Sequence, residues 1–135
     1  MGRVPAREGW HEVGDVDVMA RLREICLSLP EAVEKPFGGH TAPTFRVRDK
    51  LFLMTSEDGR SMIFKAGPGV QEALVGSEPE RFFVPAYVGH KGWVGAWLTA
   101  ELDWDEITEL IEESYRLIAP KRLAARVQRP AREDR

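Results

Sequence analysis

The stretch Thr44 to Ala66, TFRVRDKLFLMTSEDGRSMIFKA, constrains the fold of this chain more than any other. It holds three runs suited to strands, at 44–48, 51–56 and 61–66, rich in aromatic, β-branched or alternating residues. Asp49-Lys50 is a link short enough only for a hairpin. Glu57 to Arg60 contains the pair Asp58-Gly59, which supplies positive backbone angles for a second turn. Strands joined this tightly run antiparallel, and their alternate residues share a face. Phe45, Val47, Met62 and Phe64 therefore fall on one side, and Arg46, Arg48 and Lys65 on the other. A sheet with one apolar side needs a second layer to cover it.

The flanking sequence offers that layer. From Val18, the residues Val18, Leu22, Ile25, Cys26 and Leu29 make one helical stripe, with Asp15 or Asp17 as cap and Pro30 as stop. Residues 31–43 read as a long, turn-rich connection around Gly38-Gly39. After Gly67-Pro68-Gly69, residues 70–75 suit a short helix; 81–86 read as a fourth strand, held near an edge by Pro85, and 93–99 as a fifth. The last helix is the clearest element. Asp103 is its N-cap, Glu106 completes a capping-box spacing, and Trp104, Ile107, Leu110, Ile111, Leu117 and Ile118 keep helical period as far as Pro120. The expected class is α+β: a two-layer sandwich with a mostly antiparallel five-stranded sheet, helices on one face, and the order α-β-β-β-α-β-β-α. Residues 15–120 form a single domain in this reading, after a flexible leader at 1–14 and before a basic, frayed C-terminal tail at 121–135.

Charge is distributed unevenly. The tail from Lys121 to Arg135 has six cations against two anions, a net of +4; with −3 for the whole chain, residues 1–120 carry −7. An acidic body repels phosphates at long range and argues against general coating of nucleic acid. The 135 residues suit one domain, and no apolar run is long enough to span a bilayer, so the expectation is a soluble cytoplasmic protein without membrane association. Cys26, the single cysteine, lies on the apolar helical stripe and reads as core.

Between the last two strand candidates stands VPAYVGHKGWVG, residues 84–95. Gly89 and Gly92 allow a sharp bend with Tyr87, His90 and Lys91 around its tip, where Lys91 and exposed amides can cradle an anion. The plain reading is a turn that needs glycines whatever the function, and the spacing fits neither a nucleotide-binding loop nor a dinucleotide fingerprint. In the strand that follows, Trp93 and Trp97 share a face away from Val94, Ala96 and Leu98. With Arg46, Arg48 and Lys65 they would make a basic, aromatic platform of the kind that stacks bases and meets phosphates. The plain reading here is that the indoles pack on a helix, a second subunit or arginine stems. His11, His40 and His90 are scattered, so no metal is expected, and no cofactor. Cys26 and Ser114 lie within helices and no nucleophile and base stand together, so no catalytic residue is identified.

Several motifs together resemble the MmcQ/YjbR family of small bacterial proteins: LSLPEAVEK (27–35), FRVRDKLF (45–52), Phe64-Lys65, FFVPAYVGHKGWVGAWL (82–98), Asp103-Trp104 and SYRLIAPKRL (114–123). The resemblance covers about residues 18–124. It departs at Asp49, where a glycine commonly precedes the lysine, which implies a slightly different turn. The resemblance implies a secretion-chaperone-like or CyaY-like α+β fold, and the family is often labelled DNA-binding; it carries over no catalytic residues. The expected function is thus a non-enzymatic binding domain, with DNA as first partner through Arg46, Arg48, Lys65, Lys91, Trp93 and the basic tail. The alternatives are a module that binds a peptide or dimerises through its sheet, and an enzyme acting on a small anion held at Tyr87 to Gly92.

Overall fold

The computed structural model describes residues 18–36, 42–99 and 101–127. The proposed caps Asp15 and Asp17, the leader, His11, His40, Gly38-Gly39 and the tail beyond Val127 lie outside the described residues. Residues 18–27 are helical (α1). Six strands follow in one sheet: β1 (Ala32–Pro36), β2 (Pro43–Val47), β3 (Lys50–Thr55), β4 (Ser61–Lys65), β5 (Phe82–Phe83) and β6 (Trp93–Trp97). Helix α2 (Val70–Ser77) lies between β4 and β5 in sequence, and α3 (Trp104–Ile118) and α4 (Lys121–Ala124) close the described chain. The strand order is β1-β2-β3-β4-β6-β5, and every neighbouring pair is antiparallel. The α+β class and the antiparallel meander follow the sequence reading. The strand count does not.

The sixth strand is β1, inside the segment read as a connection. Its burial is low along almost its whole length, so no apolar alternation marked it. It becomes a strand by pairing with β2 from Ala32 opposite Val47 to Pro36 opposite Pro43. The fourth predicted strand shrinks to Phe82–Phe83 and does form the opposite edge. At the β2–β3 hairpin both central residues, Arg48 (φ 51°) and Asp49 (φ 69°), are left-handed, one residue earlier than the predicted Asp49-Lys50 link. Asp49 thus holds the conformation that a glycine would take without strain.

The apolar face is the one that alternation separated. Phe45, Val47, Met62, Phe64, Val94 and Ala96 are buried beneath α1 and α3, joined by Leu22, Cys26, Ile107, Ile111 and Tyr115. The register of β2 against β3 shifts between Phe45, opposite Leu53, and Arg46, opposite Leu51. Phe52 is the extra residue, a bulge that turns its ring inward, where it meets Tyr115 edge-on at 5.4 Å. Direct pairing of β3 with β4 ends at Leu53 and Phe64. One residue further, the fully buried hydroxyl of Ser114 on α3 accepts from the Lys65 amide (2.8 Å) and donates to the Phe52 carbonyl (2.6 Å). A helix side chain therefore bridges the two strands at the bulge.

The predicted cap of α3 is present, with Asp103 Oδ1 accepting from the amides of Asp105 and Glu106 at 3.1 and 3.3 Å. The Glu106 side chain turns away from the cap to Arg81 Nη2 at 2.7 Å, because that guanidinium, also bound to Glu78, offers a charged donor. Pro120 ends α3 as expected, but order continues past it. Leu123 and Val127 enter the core, and Arg116 donates to the Val127 carbonyl at 2.5 Å.

Removing the Ser114 hydroxyl by S114A leaves the Lys65 amide and the Phe52 carbonyl without their partner. The expected loss is about 2–3 kcal/mol, read as a lower denaturation midpoint at unchanged slope. Tyr115 gives a second test. Burial holds its phenol above the usual range while its hydroxyl donates to the Pro30 carbonyl at 2.6 Å. The folded state keeps its proton longer than the unfolded chain does, so this contribution is intact below the ordinary tyrosine value of about 10 and falls as pH rises through it. Alkaline unfolding curves should show that step in the wild type, and Y115F should lack it.

Candidate functional site

Strand pairing defines the sheet face opposite α1 and α3. A row crosses five strands on it: Thr44 opposite Met54, Met54 opposite Ile63, Ile63 opposite Gly95, and Gly95 opposite Phe83. Gly95 has a direct structural reason, since a Cβ there would collide with the Phe83 ring lying over it. That ring in turn meets the Trp97 indole at 4.6 Å. The centre of this face is thus apolar and aromatic.

The predicted cations divide differently. Arg46 does lie on this face, opposite Leu51 and Val33, with Nη1 3.3 Å from the Asp49 carbonyl. Arg48 does not share it: it sits in the left-handed hairpin turn and grips Glu31 through two nitrogens at 2.5 and 3.2 Å. That guanidinium holds the Glu31 carboxyl below its usual range, helped at longer reach by Arg122 and Arg126. Lys65 pairs with Trp93 across β4 and β6, and its ammonium donates to the Lys91 carbonyl. The two indoles also part company. Trp93 is 9% exposed, whereas Trp97 is 44% exposed.

The loop between β5 and β6 is held rather than free. Gly89–Lys91 wind into a single 3-10 turn, with the Gly89 amide on Pro85, Lys91 on Val88 and Gly92 on Gly89. These amides are consumed within the loop, so they are not the exposed donors the sequence suggested. Left-handed angles fall on Tyr87 (φ 68°) and Gly92 (φ 90°), while Gly89 keeps an ordinary one. From α2, the Gln71 amide donates to the carbonyls of Gly89 (2.7 Å) and Trp93 (2.8 Å). Gln71 carries no motif that marks it in the sequence. Its only signal was a polar residue on a short helix facing a glycine-rich turn.

Two hollows flank this loop. One, of about 490 Å³, is bounded by Thr44, Met54 and Ile63 from the sheet and by Ala86, Tyr87 and Val88 from the loop. It is apolar, and Tyr87 on its rim is 93% exposed. The other, of about 560 Å³, is lined by Lys65, Gly67, Gln71, His90, Lys91 and Leu117 among others. Cys26 is buried and burial raises its thiol, so it has the character of a core residue. Among the described residues no group of three or more His, Cys, Asp or Glu gathers to hold a metal, and no helix is long and apolar enough to cross a membrane.

Comparison with known proteins bears on the fold. No curated protein sequence matches the chain. A solved structure, that of Deinococcus radiodurans protein DR2400 with its DUF419 domain, is similar at a TM-score of 0.67 and 22% identity, over 78% of this chain and 84% of that one. The likeness in architecture agrees with the sheet and helices described above. The sequence model of the YjbR family matches residues 27–117, from the end of α1 almost to the end of α3, and the chain belongs to that family.

Proposed function

We propose that this protein is a binding domain whose open sheet face receives a polypeptide segment, with one apolar side chain seated in the hollow beside Tyr87. The observation that carries this reading is the apolar pocket of about 490 Å³ walled by Met54, Ile63 and Val88. Its volume lies within the range of ligand pockets. Tyr87 supports it too: a nearly fully exposed aromatic held in the left-handed region costs energy that the unbound fold does not return, as residues at recognition sites often do. The row Ile63, Gly95, Phe83 and the half-exposed Trp97 extends the surface as a flat, aromatic strip. The −7 net charge of residues 1–120 favours a segment with cationic flanks over a phosphate-bearing one. The sheet-face platform for nucleic acid has weaker support, because Arg48 and Lys65 bond within the chain and Trp93 is closed off.

Selection of peptides from a random displayed library on the full chain tests this. Enriched sequences should share an aromatic or aliphatic anchor beside Lys or Arg, and I63E should weaken them at least about tenfold, a change of about 1.4 kcal/mol, with circular dichroism unchanged. Absence of enrichment, or peptides that bind I63E as well as wild type, would overturn it.

A second reading keeps DNA as partner but moves it off the sheet. Arg48 binds the Glu31 carboxylate, Arg122 and Arg126 act on it at longer reach, and the sequence adds Arg129, Arg132 and Arg135 beyond them. In this reading, binding of single- or double-stranded DNA falls linearly with log salt concentration, and R122A/R126A lowers that slope by about one per arginine removed. No binding at low ionic strength, or a slope unaltered in the variant, excludes it.

A further inference from the structure

We propose that the hollow between the β4–α2 turn and the loop at residues 89–92 is a binding site for a small organic phosphate monoester. This inference stands independently of the peptide reading, which concerns the opposite side of the loop.

The charge gathered in the hollow gives the first reason. Lys65 and Lys91 line one hollow together, and among the described residues neither has a carboxylate at salt-bridge distance. Glu72 lines the same hollow without pairing to either. Lys65 and Lys91 against Glu72 leave this concave wall with a net positive charge, on a body that is otherwise acidic.

Preorganisation is the second reason. The Lys65 ammonium is anchored on the Lys91 carbonyl, which fixes its position and leaves two of its three donors for another acceptor. Gln71 clamps the loop from α2 through Gly89 and Trp93, so the wall bearing His90 and Lys91 is set before any ligand arrives. The chemistry of the lining decides the class. Two ammonium groups and an imidazole match the several terminal oxygens of a phosphate, while Pro68, Ala66 and Leu117 offer an apolar wall to an attached organic group. A volume of about 560 Å³ exceeds what an inorganic ion alone would fill.

Titration of the isotope-labelled full chain with phenyl phosphate, followed by amide and imidazole resonances, tests the site. The expected result is saturable shifts confined to Lys65–Glu72 and Gly89–Gly92, including the His90 ring, with a dissociation constant of about 1 mM or tighter. Inorganic phosphate should shift the same resonances more weakly, and neutral phenol should not. K65M and K91M should each weaken binding at least about tenfold. K91M keeps the backbone carbonyl that anchors Lys65, so it tests the charge even if K65M loosens the loop. Shifts scattered over unrelated cations, equal binding by K91M, or no saturation would overturn the proposal. Shifts produced by an oligonucleotide but not by phenyl phosphate would overturn it in favour of a strand-binding surface.

Discussion

The hydroxyl of Ser114 is the joint on which the described architecture turns. It lies fully buried between two strands and binds both, accepting from the Lys65 amide and donating to the Phe52 carbonyl. A buried amide and a buried carbonyl each need a partner, and at the Phe52 bulge the sheet supplies neither. The helix supplies both with one atom. This fixes the position of α3 along the sheet and lets the Phe52 ring turn inward onto Tyr115. It also places the start of the β4–α2 turn, since Lys65 is the last residue of β4.

That placement reaches the loop at residues 84–92. The Lys65 backbone is tied to α3 and its side chain to the Lys91 carbonyl, while Gln71 holds Gly89 and Trp93 from α2. The loop is therefore braced from two elements and carries Tyr87 outward in a left-handed conformation. Its two sides differ in chemistry: apolar toward Met54 and Ile63, cationic toward Lys65 and Lys91. One rigid turn separates two surfaces suited to unlike ligands.

Much of this was legible in the chain. Alternation assigned Phe45, Val47, Met62 and Phe64 to the covered face and put Arg46, Lys65, Trp93 and Trp97 opposite, because a strand's period of two follows from its geometry. Asp103 and Pro120 marked the ends of α3 because capping and the missing proline amide act locally. Strand β1 was illegible, since its formation depends on an exposed pairing with β2 and leaves no apolar pattern. The few apolar residues of 121–127 predict fraying, yet Leu123 and Val127 in the core and the Arg116 bond to the Val127 carbonyl order them.

Sequence alone determined the local facts of this protein: strand faces, the presence of the two hairpins though not the residues that turn them, the limits of α3 and the acid–base asymmetry between body and tail. Each depends on neighbours along the chain. Tertiary structure decided what the polar side chains do. Whether Arg48 meets a ligand or Glu31, whether Lys65 points to solvent or to the Lys91 carbonyl, and whether Trp93 or Trp97 stays open depend on partners far away in sequence. Hydrogen bonds and ion pairs are settled by distance in space, and only the folded chain sets that distance.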